Sequence, residues 1–256
     1  VVRGVHATQR MSKCLKSVLP CNIDAAHQKS FIDKSHASTL SLAADFCIVW
    51  YMDEVRERYS RGYQPHFDLE HRSQFLTWRL GDALPVDVLR QLEAEYKDES
   101  KLTRRQSLSR AIEQYADKGY GECHLADPRA SRIMQEILFE HQSKLFDLHA
   151  WVVMPNHVHV LLTPNGCKLR TIANQLKGQS ARRINELLGR TGRLWQVDYH
   201  DRYIRSTEHF IGATHYAEWN PVKAGLISDP KLWHWSSANP DSWKRLLDIK
   251  KQREQS

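Results

Sequence analysis

The sequence predicts an α+β fold: one antiparallel sheet of ferredoxin-like type packed with helices, with extra N-terminal helices. Three observations carry this expectation. From Gln74 onward the apolar spacing alternates between period two and period 3.6, in the order β-α-β-β-α-β-α. Two strand-like runs in the middle, "KLFDLHAWVVM" and "HVHVLLT", are joined only by Pro155 and Asn156, a turn-forming pair. A hydrophobic content of 41% supports a packed core, and no internal repeat or low-complexity tract interrupts it.

Taken in order, residues 1–51 stand apart. They hold Cys14, Cys21 and Cys47 and several Ser/His/Lys clusters, without a sustained helix or strand period. They read as a disordered or non-native N-terminal extension, with Met52 as the native start. One domain is expected over 52–240. In "QFLTWRL" (74–80), Phe75, Thr77 and Arg79 share one strand face and Leu76, Trp78 and Leu80 the other. Gly81-Asp82 turns the chain, and Pro85 opens a helix through Leu89, Leu92 and Ala94. The charged stretch that follows reads as one or two surface helices. Asp127 and Pro128 then provide an N-cap and a first helical residue for a helix with Ile133, Ile137 and Leu138 on its buried stripe.

After the central hairpin, Leu169, Ile172, Leu176, Ile184 and Leu187 line one face of a helix that ends at Gly189. "DRYIRS" is a short strand. Ser206 or Thr207 caps a last helix through Phe210, Ile211, Ala213 and Tyr216, expected to stop at Asn220-Pro221. Residues 241–256 read as a charged C-terminal tail, most simply a solvated helix end.

Charge narrows the partners. A formal net charge of +7 and a pI near 9.2 favour a polyanion. The five cysteines form no C-x-x-C pair and read as free thiols in a reducing compartment. The longest apolar run is too short and interrupted to span a bilayer, and no signal peptide is visible, so a cytoplasmic location without membrane contact is expected. Between Lys168 and Arg205, nine Lys/Arg face three acids. Lys177, Arg182, Arg183, Arg193, Arg202 and Arg205, with Trp195, Tyr199 and Tyr203 interleaved, suit phosphate contact beside base stacking. A solvated helix with core aromatics is the plainer alternative. Lys223, beyond Pro221, is a further candidate for a phosphate contact, or simply sits in solvent.

The most informative stretch is "WVVMPNHVHVLL" (151–162). His157 and His159 are two apart on a strand and so share a face, with Val158 and Val160 on the other. Such a pair can hold a divalent ion, or can be two satisfied core histidines. In "HYAEWNPVKAGL", Tyr216 and Asn220 lie four apart on one helix face. Tyr216 offers a nucleophilic phenol and Asn220 an amide oxygen for a metal shell, or the first packs on the sheet and the second caps the helix.

Together these segments resemble a known family. "MPNHVHVLL" matches the His-hydrophobic-His motif of HUH endonucleases. "RLWQVDYHDRYIRSTEHF" and "HYAEWNPVKAGL" are similar to later blocks of REP-associated tyrosine transposases, as are "RGYQPHFD", "QFLTWRLGDALP" and "LWHWSSA". The likeness runs over roughly residues 60–238, with the blocks in the family's order. It implies an HUH-type fold, a Mg²⁺ or Mn²⁺ ion bound by His157, His159 and Asn220, and Tyr216 as the single nucleophile. It implies a 5′-phosphotyrosine intermediate on single-stranded or hairpin DNA, such as repetitive extragenic palindromes. Ala217 and Trp219 depart from the family's tyrosine block, at positions without a chemical role there. A phosphodiesterase using water and a domesticated, non-cleaving DNA-binding protein are the rival readings. Whether the protein is a monomer or a homodimer stays open.

Overall fold

The structure, a computed structural model, describes residues 58–60, 65–67 and 71–254. The expectations for residues 1–51 and for a start at Met52 lie outside these residues. A small hairpin of β1 (Arg58–Ser60) and β2 (Pro65–Phe67) precedes the main sheet.

That sheet contains β3 (Gln74–Arg79), β4 (Phe146–Val153), β5 (His157–Pro164) and β6 (His200–Tyr203), in the order β4-β5-β3-β6 with every neighbouring pair antiparallel. β3 and β5 occupy the two central positions, in register at Thr77↔His159 and Arg79↔His157. This is the expected ferredoxin-like α+β arrangement. The extra helices are α1 (Val86–Glu95) and α2 (Lys101–Asp117), which follow β3.

Strand alternation divides the core into two. Leu76, Trp78, Val158, Val160 and Leu162 face one side, with apolar side chains from α3 (Pro128–His141) and α4 (Leu169–Leu187). Phe75 and Leu161 face the other, against Ala213, Tyr216 and Ala217 of α5 (Thr207–Lys223). A bulge between Leu148 and Ala150 shifts the register of β4, so that Trp151 joins the first layer and Ala150 and Val152 the second. No helix among the described residues is long and apolar enough to cross a membrane.

Local signals explain several helix ends. Asp127 accepts a hydrogen bond from the Arg129 N–H at the start of α3, with Pro128 next, and Ser206 accepts from the His209 N–H at the start of α5. Gly189, at φ +61°, supplies the left-handed turn after α4. The buried stripe of α3 consists of Ala130, Met134, Ile137 and Leu138, with Ile133 only half-buried.

Two boundaries differ from expectation. α5 does not stop at Asn220-Pro221 but runs to Lys223 with Pro221 inside it. So near the helix end, proline deprives only the Ala217 carbonyl of an N–H partner. The last turn closes through Ala224 N–H to Asn220 O and Leu226 N–H to Pro221 O, each 2.9 Å. The charged tail, expected as a solvated helix end, is the helix α6 (Pro240–Glu254), but it is docked and not solvated on all sides. Leu246 is buried, Trp243 Nε1 donates to the Ser237 carbonyl at 2.7 Å, and Arg245 pairs with Glu136 of α3. Charge density concealed this apolar face.

Candidate active site

β5 presents His157 and His159 toward α5, each only 1% exposed. Their orientation is set by neighbours. Asn156 Nδ2 donates to the carbonyls of Ala116 and Tyr120, each at 3.0 Å. Its Oδ1 is thereby turned to His157 Nδ1, 2.7 Å away. An amide oxygen only accepts, so Nδ1 carries the proton and Nε2 keeps its lone pair. His159 Nδ1 meets Thr77 Oγ1 at 2.7 Å, and its Nε2 lies 3.3 Å from Asn220 Nδ2. Phe75 stacks on the His159 ring with centroids 5.4 Å apart.

Burial, reinforced by the positive charges of Arg79 and Lys223, pushes His157 down to about 3. His159 is held well below its ordinary value, first by burial and then by its charged neighbours. Both rings are neutral near pH 7, the form that ligates metals. No trio of His, Cys, Asp or Glu among the described residues is arranged to hold a metal ion. The available donor set is instead two imidazoles and an amide. Among the described residues, His157 Nε2 and Asn220 Oδ1 are buried and face each other's side chains without a hydrogen bond of ordinary geometry, and buried polar atoms are ordinarily satisfied. A mixed nitrogen and amide-oxygen set fits Mn²⁺, or Mg²⁺ that retains water or phosphate oxygens.

α5 brings Tyr216 and Asn220 to this face one turn apart, as their spacing predicted. Asn220 is fully buried against His159 and is not a terminal cap. The Tyr216 ring meets His159 edge-on at 5.3 Å, and Lys223 Nζ lies 5.3 Å from the Tyr216 ring centroid. The Tyr216 hydroxyl donates to Glu113 Oε2 at 3.2 Å. One turn further along α2, Asp117 pairs with Lys223 at 2.8 Å and its other oxygen lies 3.8 Å from His157 Nε2.

Glu113, Asp117, Thr77 and the amide of Asn156 escaped sequence reasoning. The available signal was the four-residue spacing of Glu113 and Asp117 beside Ile112 and Ala116, which are buried. It marks a helix with one docked face, where only surface helices were expected.

The basic stripe changes more. Trp195 is 3% exposed and its Nε1 donates to Ser180 Oγ, while Tyr199 and Tyr203 are also buried. These aromatics are core, not a stacking surface for bases. Lys177 donates to the carbonyls of Val197 and Asp198, and burial pushes it down to about 8. Arg183 makes a two-point contact with Glu140, Lys223 is held by Asp117, and half-buried Arg202 donates to Ser109. Arg182, Arg193 and Arg205 are exposed, Arg205 lying over the Tyr203 ring.

Residues 123–210 match the family model described as "Transposase IS200 like". The chain resembles the IS200-like transposases. The matched span includes both histidines and ends before Tyr216. Over 110 residues the chain is 27% identical to the REP-associated tyrosine transposase of Escherichia coli (strain K12), covering 41% of this chain. The match spans 61% of that relative's length, about three fifths of it. A solved structure of a REP-associated tyrosine transposase bound to a REP hairpin is 19% identical, with a TM-score of 0.39, covering 76% of this chain and 88% of that one. The likeness to REP-associated tyrosine transposases read from the sequence blocks is found again in the curated relative.

Proposed function

We propose that this protein is a metal-dependent, single-tyrosine DNA transesterase acting on single-stranded DNA, with hairpin strands of REP type as its substrate. One observation carries the reading: Tyr216 and Asn220, a helical turn apart on α5, face the two buried, neutral histidines of β5. The IS200-like match and the curated relative support the same class.

His157 Nε2, His159 Nε2 and Asn220 Oδ1 would hold the ion. When bound, a divalent cation supplies positive charge that polarises the scissile phosphate. Asn156 and Thr77 hold the rings in place. Tyr216 attacks the phosphorus, the bond to the 3′ oxygen breaks, and the strand is left with a 5′-phosphotyrosine and a free 3′-hydroxyl. One phosphodiester replaces another, so no nucleotide hydrolysis is required. Rejoining runs the same exchange backwards.

Labelled hairpin DNA incubated with the protein and Mn²⁺ tests this. Wild type forms an adduct that survives SDS, whereas Tyr216→Phe and a chelator each abolish it and duplex DNA stays uncut. Cleavage that persists in Tyr216→Phe would make water the nucleophile. Binding without cleavage by wild type would reduce the protein to a DNA-binding module.

A further inference from the structure

We infer that Glu113 is the proton acceptor for Tyr216 in strand cleavage, an inference that rests on the transesterase reading above. A phenol has an ordinary pKa of about 10, so about one in a thousand is ionised near pH 7. An effective tyrosine nucleophile therefore needs a base within hydrogen-bond reach. Glu113 Oε2 accepts the Tyr216 O–H at 3.2 Å.

The other titratable groups that the described residues bring around Tyr216 have different tasks. His159 meets the ring in a T-shaped contact, with Nδ1 at Thr77 and Nε2 at Asn220. His157 directs Nδ1 to Asn156 and contributes Nε2 to the donor set. Lys223 is a cation near the ring and has no lone pair to accept a proton. Asp117 is joined to Lys223. Glu113 is the carboxylate that the described residues bring to the hydroxyl.

Its position is fixed by the docking of α2. Ile112 and Ala116 are buried on either side of Glu113. Asn156 ties the Ala116 carbonyl to the start of β5, and the Asp117–Lys223 pair ties the next turn to α5. The same helix thus borders both halves of the site. The charge of Lys223 near the ring favours the phenolate that forms as the proton leaves.

In the step, the Tyr216 O–H bond breaks and its proton passes to the Glu113 carboxylate. The phenolic oxygen forms the bond to phosphorus. The bond from phosphorus to the 3′ oxygen breaks, its electron pair leaves with that oxygen, and water supplies the proton. In rejoining, Glu113 returns its proton to the departing phenolate.

Single-turnover adduct formation on hairpin DNA with Mn²⁺, followed from about pH 4 to about pH 9, tests this. In wild type the rate climbs on the acidic side, the profile of a reaction that depends on a general base. Glu113→Gln lowers it about 10²- to 10⁴-fold and removes that climb, with DNA affinity and Tm retained. Glu113→Asp recovers part of the rate and of the climb. A Glu113→Gln rate within about threefold of wild type overturns the inference, as does a slower rate with an unchanged pH profile, the mark of a merely structural role. Should Glu113→Gln fail to bind DNA, the Glu113→Asp profile decides: a retained climb supports the inference, and its loss overturns it. Wild type that forms no adduct removes the transesterase reading and this inference together, whereas an adduct indifferent to Glu113 removes this one alone.

Discussion

A side-chain amide prepares the histidine before any ligand arrives. Because Asn156 spends both N–H groups on backbone carbonyls, its oxygen dictates which nitrogen of His157 is protonated. Asn156→Ala frees the imidazole to turn and leaves two carbonyls unsatisfied. It should weaken Mn²⁺ binding about 10- to 100-fold and cost about 1–3 kcal/mol of stability. Titration of the metal and urea unfolding measure the two effects, and unchanged Mn²⁺ affinity would contradict the assigned role. Acid should also destabilise the metal-free protein. His157 stays neutral in the fold down to about 3, whereas the unfolded chain takes up its proton near the ordinary value of about 6.5. The unfolded state therefore binds more protons between these values, and stability falls as pH drops through that window. By pH 5 the loss from His157 is about 2 kcal/mol, readable as a lower Tm in EDTA at pH 5 than at pH 7. An unchanged or higher Tm at pH 5 would contradict it. The shared faces of His157 with His159 and of Tyr216 with Asn220 were legible from strand period and helix turn, whereas their union in one site was read from the family resemblance. Glu113 and Thr77 were not legible, since their roles arise from contacts across the fold.

At the scale of elements, β3 and β5 were legible from alternation, and the same alternation assigns His157 and His159 to the face opposite Val158 and Val160. The segment after α4 was misread because composition counts aromatic and basic residues without their direction. Its tryptophan locks the segment to the sheet, T-shaped against Trp78 at 6.2 Å. Trp195→Ala should cost about 3–5 kcal/mol in urea unfolding. Arg182→Ala and Arg193→Ala should each leave stability within about 0.5 kcal/mol. If they contact phosphates, each lowers the magnitude of the log–log salt slope of single-strand binding by about 0.7. A stable Trp195→Ala protein with weakened DNA binding would restore the stacking role.

For the whole molecule, the order of strands followed from sequence pattern, but the extent of the core did not. α6 brings Leu246 to the main core layer and anchors Trp243 and Arg245 beside it, although its composition reads as solvent-exposed. Ending the chain after Asn239 should lower stability by about 3–5 kcal/mol, from lost Leu and Trp burial. An unchanged unfolding midpoint would show that the segment is dispensable. The two halves of the site come from separate layers, β5 within the sheet and α5 packed on it, so their meeting depends on the assembled fold. The most direct measurement is mass spectrometry of the SDS-resistant DNA adduct after proteolysis and nuclease trimming. A nucleotide attached through a 5′ phosphate to Tyr216 is the predicted result; attachment to Tyr199 or Tyr203, or no covalent adduct on competent hairpin DNA, would contradict it.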